Sequence, residues 1–183
     1  LIPTRTVQAQ GPTDPVRYAK TSATGSGDCS SWANACTLQT ALTGALPGQQ
    51  VWAAAGVHFP GDSAVSTFTL KNGVGVYGGF AGNETSLDQR DAAANPSVLS
   101  CDIGVPVLRL DNCLHVVTAT SVGSSALLDG FTITGGTANG AYPAGNGGGV
   151  FLTSAGPTLQ NLIIRGNRAE AVGGGLFSRT NSE

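Results

Sequence analysis

The chain has 183 residues, enough for one sizeable domain without requiring two. Charged residues make up 11% of it, against about 25% in an ordinary soluble domain, and the formal charge is -2. With no basic cluster a nucleic-acid partner would lack its electrostatic attraction, and no run approaches the roughly 18 apolar residues of a membrane span.

Residues 1–17 are polar and show no apolar period, so they read as an N-terminal tail, with a short strand starting near Val16. The chain starts at Leu1 and contains no Met, which fits a processed secreted protein or an excised fragment. No intact signal peptide is present, because the first ten residues lack an apolar core. Residues 18–50 read as an N-terminal cap. Within it Leu38, Ala41, Leu42 and Ala45 fall at i, i+3, i+4 and i+7, one face of a helix over about Cys36 to Ala45 that stops at Pro47-Gly48.

From residue 51 to 183 the pattern is of short strands. Gln50 to Phe59 reads as one strand ended by Pro60-Gly61-Asp62, and Thr67 to Leu70 alternates with period two. Val74 to Tyr77, Val98 to Ser100 and His115 to Ala119 follow. Ser86-Leu87-Asp88-Gln89 carries the capping-box pattern that starts one or two helical turns. No long helical pattern separates the strands, so the alternation of a Rossmann fold or barrel is missing.

The chain then repeats itself. Leu128-Asp129-Gly130-Phe131-Thr132-Ile133 reads against Leu159-Gln160-Asn161-Leu162-Ile163-Ile164, an offset of 31, and Gly147-Gly148-Gly149-Val150-Phe151 reads against Gly173-Gly174-Gly175-Leu176-Phe177, an offset of 26. Self-similarity at this spacing is the mark of stacked units that share a core. The fold expected is all-β, a right-handed parallel β-helix (solenoid) with a short N-terminal capping helix; a β-sandwich would not naturally produce such a repeat.

Four cysteines, Cys29, Cys36, Cys101 and Cys113, allow three connectivities. Sequential pairing is expected, since each neighbouring pair closes a short loop. Zinc would need closer cysteine spacing and suitable histidines, and only His58 and His115 exist. Disulfides point to an oxidising compartment.

Three stretches resemble secreted bacterial right-handed parallel β-helix proteins: Gly25 to Ala35, Asn72 to Thr85 with its Val74-Gly75-Val76-Tyr77-Gly78-Gly79-Phe80 centre, and Leu128 to Gly136. The Gly-Gly-Gly-Val/Leu-Phe units look like half of the repeat in polymorphic outer-membrane-protein-like sequences, and Ile164-Arg165-Gly166-Asn167 resembles its Phe-x-x-Asn half, with Ile in place of Phe. The resemblance implies an exported surface protein of structural or adhesive role. It implies no activity.

Gly73-Val74-Gly75-Val76-Tyr77-Gly78 matches the dinucleotide fingerprint, but no helix start follows it to hold a pyrophosphate. No P-loop and no nucleophile elbow is present, and no cofactor is expected. Asp129 is the best single acid for polysaccharide chemistry, but it lacks the second carboxylate a hydrolase needs and also reads as a turn residue. Trp32 and Trp52 are weak candidates for stacking on sugars, set against burial in the cap and first strands.

The expectation is therefore a non-enzymatic, secreted structural or adhesive protein of cell surface or extracellular matrix. Its partners would be other copies of itself, stacked head to tail into filaments, or other surface components. The tail residues Leu1, Ile2 and Val7 would supply an assembly strand. The alternative is a polysaccharide-binding domain, or a polysaccharide lyase or hydrolase.

Overall fold

The computed structural model describes residues 15–106 and 108–180. Among the described residues the regular elements are mostly strands, and every strand pairing is parallel. In spatial order, sheet A holds Thr158–Gln160, Leu127–Asp129, Gly75–Phe80, Gln50–Ala54, Val16–Lys20 and Cys36–Thr37. Sheet B holds Ile163–Ile164, Phe131–Thr134, Ser97–Ser100 and Gly56–His58. Sheet C holds Leu176–Arg179, Val150–Thr153, Val117–Thr120 and Phe68–Thr69, and Thr137–Ala138 with Arg168–Ala169 make the small sheet D.

This corrects the expected β-helix with its capping helix. The strands are two to six residues long and are gathered into several separate parallel sheets, not one clear solenoid. The reason lies in the corners. Left-handed backbone at Gly130 (φ 83°), Gly135 (φ 82°) and Asn161 (φ 52°) ends each pairing after a few residues. The long strand expected over Gln50 to Phe59 is likewise two, Gln50–Ala54 and Gly56–His58, because Gly56 turns the chain at φ 122°.

Pairing register and sequence repeat coincide. Leu159 lies beside Leu128, Ile163 beside Thr132, and Phe177 beside Phe151. The triple glycines serve close backbone approach: a Cβ on Gly148 would sit 2.1 Å from the Arg168 carbonyl oxygen, and one on Gly149 would sit 2.4 Å from that of Gly175. Hydrogen bonds cross the same corner, from the Gly149 amide to Gly174 (3.0 Å) and from Val150 to Gly175 (2.8 Å).

Period-two alternation sets the core. Val150 and Leu152 are buried while Phe151 and Thr153 lie on the other face. With Val51, Ala53, Val76, Leu99, Val117, Leu128 and Ile133 they belong to one apolar cluster. Helix α1, Leu38–Gly44, buries Leu38, Ala41 and Leu42 against that cluster, and Thr37 caps it by accepting the Thr40 amide at 3.3 Å. At Ser86 the predicted helical turns are a single 3₁₀ turn, Leu87–Gln89, in which Gln89 Oε1 accepts the amides of Thr85 and Ser86.

The disulfides are Cys29–Cys36 and Cys101–Cys113. Among the described residues no helix is long and apolar enough to cross a membrane.

Candidate functional site

The strands of residues 158–179 are all edge strands. Thr158–Gln160, Ile163–Ile164 and Leu176–Arg179 close sheets A, B and C, and Arg168–Ala169 is one of the two strands of sheet D. Among the described residues each has a strand neighbour on one side only, so one row of backbone amides and carbonyls faces away from the sheet. No residue from 158 to 180 is buried. Leu159, Leu162 and Ile164 pack against the core but stay partly open, and Ile163, Val172 and Leu176 are exposed.

Two features prolong the internal order up to this edge. On sheet C the His115 ring stacks on Phe151 at 4.7 Å, and Phe151 on Phe177 at 5.6 Å. At the neighbouring corner Asn167 donates from Nδ2 to the Ile133 carbonyl and accepts the Gly136 amide, each at 2.9 Å.

At the opposite end of the sheets lie Cys36–Thr37, Gly56–His58 and Phe68–Thr69. Helix α1 packs over part of this end, against the strands Val16–Lys20, Cys36–Thr37, Gln50–Ala54 and Phe68–Thr69. Val57, Phe59 and Val65 remain exposed there. Sheets A, B and C thus each offer an edge at both ends. Charge divides unevenly: residues 158–180 carry Arg165, Arg168 and Arg179 against Glu170, a net of 3 − 1 = +2, while the whole chain is -2, leaving -4 for the remainder.

The sequence candidates fall elsewhere. Asp129 is 1% exposed, with Oδ1 accepting from Asn161 Nδ2 (2.7 Å) and Oδ2 from Gln160 Nε2 (3.0 Å) and the Arg90 guanidinium. Burial raises its pKa, but the hydrogen bonds from Asn161, Arg90 and Gln160 outweigh that and hold the carboxyl below its ordinary range. Arg90 also lies over the Tyr77 ring. The carboxylate therefore ties Arg90 to the Gln160-Asn161 corner, with both oxygens occupied.

Trp52 is 1% exposed and stacks on Phe80 at 4.7 Å. Trp32 is half-buried beside Tyr18 and Phe80, its indole N–H donating to the Glu84 carbonyl at 2.9 Å. The structure brings these rings into one aromatic cluster and leaves Asp129 apart, on the Arg90 side. The nucleotide-like glycine motif runs along the strand Gly75–Phe80. Leu1, Ile2 and Val7 lie outside the described residues. No group of three or more His, Cys, Asp or Glu able to hold a metal occurs among the described residues.

Sequence reasoning missed the role of Arg90, which stands 39 positions from Asp129. It also missed the edge at Gly56–His58, concealed by reading Gln50 to Phe59 as one strand. No family model, curated protein or solved structure matches the chain.

Proposed function

We propose that this is a non-enzymatic, secreted structural or adhesive protein that joins to further copies of itself head to tail through the edge at residues 158–179. One observation carries the reading: all four sheets have a terminal strand within that segment, beside partly exposed apolar side chains. An open parallel edge is a template for another strand. The two disulfides favour an extracellular setting, as does the likeness to exported surface proteins.

Head-to-tail contact is favoured over tail-to-tail because the latter would set the +2 segment against itself, whereas the rest of the chain is net negative. It also brings edges of the same sheets together, Ile163–Ile164 toward Gly56–His58 and Leu176–Arg179 toward Phe68–Thr69. A contact of this kind does not close and yields a filament.

Sedimentation velocity over a hundredfold range of concentration, with negative-stain microscopy, tests this. Assembly should grow with concentration and be abolished by Ile163→Lys, which alters an exposed side chain on the edge. A strictly monomeric chain at the highest concentration would overturn the reading. Deleting residues 1–12 asks separately whether the tail strand takes part: unchanged oligomers would remove the tail but keep the edge.

A further inference from the structure

The segments that cross from sheet B to sheet C lie side by side. Residues 59–67, 101–116, 135–149 and 165–175 make the four crossings. The amides of Leu114, Thr137 and Arg168 join them, donating to the carbonyls of Ala64 (2.8 Å), Cys113 (2.9 Å) and Gly136 (2.8 Å). Of the eleven large apolar side chains exposed among the described residues, seven belong to these crossings. Single exposed apolar residues are ordinary, but a gathering on one flank marks a contact surface.

The second crossing carries the largest share. Ile103 is buried and anchors it, whereas Val105 (60% exposed), Leu108 (45%) and Leu110 (82%) stand in water around a turn in which the Leu108 amide donates to the Val105 carbonyl at 3.0 Å. The Cys101–Cys113 disulfide clasps its base, and Asp111 Oδ2 accepts the Val105 amide at 2.7 Å. The third crossing presents Tyr142, also exposed, with its hydroxyl accepting from the Arg179 guanidinium at 2.7 Å. The fourth presents Val172.

Charge decides what such a flank can meet. On these three crossings the exposed charges are Arg109, Arg165 and Arg168 against Glu170, a net of 3 − 1 = +2, while the whole chain is -2. Asp102 and Asp111, the carboxylates of the second crossing, are half-buried, so its tip shows one charge, Arg109 between Leu108 and Leu110. The first crossing sets the exposed Asp62 between Phe59 and Val65 and falls outside the patch.

We infer that this flank docks on a phospholipid bilayer bearing anionic headgroups, with Leu108, Leu110 and Tyr142 entering the boundary between headgroups and acyl chains and the arginines meeting phosphates. Apolar side chains beside cations are what binding at an anionic interface requires. Arg109 reaches back to the headgroups along its own aliphatic stem, and a tyrosine suits headgroup depth, its ring apolar and its hydroxyl wet. A folded partner would need a continuous surface of about 800 Å². Tips on separate loops offer points of insertion instead.

Co-sedimentation of the whole chain with vesicles of phosphatidylcholine and phosphatidylglycerol tests the site, at a chain concentration below assembly. Binding should fall about tenfold or more on phosphatidylcholine alone or on raising salt to about 0.5 M. Arg109→Gln should weaken it about fivefold, and Leu108→Ser with Leu110→Ser about tenfold or more. These side chains are exposed, so the double variant should melt as the parent chain does. Tyr142→Trp, on a separate loop, should show indole emission shifted to the blue by the anionic vesicles.

No binding to anionic vesicles, equal binding by the double variant, or unshifted Tyr142→Trp emission would each overturn the inference. Oligomers lost from the double variant in lipid-free buffer would make the flank a contact between copies and overturn it as well. Head-to-tail assembly is read without lipid, so that reading and this one fail separately.

Discussion

At the scale of single residues, the fold rests on a few polar groups placed where burial makes them costly. Arg90 and Asp129 are the clearest case, with side chains 20% and 2% exposed. Removing Arg90 leaves the carboxylate enclosed, so Arg90→Ala should cost about 2–4 kcal/mol in urea unfolding at pH 7, below the full loss for a buried pair because the guanidinium retains some solvent. The carboxyl has a lowered pKa in the fold, so its contribution is present above the ordinary value near 4 and is lost as pH falls through the folded value. The difference between wild type and Arg90→Ala should therefore shrink in acid. The histidines work in the same sense but at higher pH. Burial lowers both His58 and His115, so the unfolded chain takes up protons first as pH drops below about 6.5, and stability falls from there. Guanidine melts at pH 7.5 and 5.5 should show that decline, with a flatter profile for His58→Gln. An equal slope in the variant would assign the decline to other groups.

At the scale of elements, sequence pattern and structure meet most closely at the repeat. Leu128 with Leu159, and Phe151 with Phe177, are aligned by eye and paired in space, because parallel neighbours set corresponding residues side by side. Helix α1 was equally legible from its apolar spacing, although it is shorter than the span read from the sequence. The division into sheets was not legible, since it depends on left-handed backbone at single residues such as Asn161. The groove beside helix α1 was hidden for a related reason: His58 reads as one polar residue in an apolar run, and only folding places Gln39 and Asp62 beside it. The glycines offer a sharp test. Gly148→Ala must push a Cβ into the Arg168 carbonyl and should cost at least about 2 kcal/mol. Gly156→Ala meets no atom within 4 Å and should be neutral or slightly stabilising. Reducing Cys101–Cys113 should cost about 2–3 kcal/mol, since the loop it closes spans only 12 positions.

At the scale of the whole molecule, the +2 segment on an otherwise negative chain makes association sensitive to salt. Raising ionic strength from low to physiological levels should weaken head-to-tail assembly and slow its growth, because salt shortens the reach of attraction between exposed charges to about 8–10 Å. Sedimentation at both salt levels checks this. An assembly that tightens with salt would instead mark apolar contact by Ile163, Val172 and Leu176 as dominant. The parallel stacking also has a mechanical consequence. Tension applied between the two ends of the chain would load the Leu176–Arg179 edge first, since that strand has a neighbour on only one side. Rupture should then pass inward as a sequence of yields of unequal size, the first freeing the 26 residues between Val150 and its register partner Leu176, or roughly 9 nm of extended chain. Each disulfide withholds only its own short loop from the chain released later. Such a molecule would resist shear less by brittle strength than by giving way gradually, dissipating work at every step.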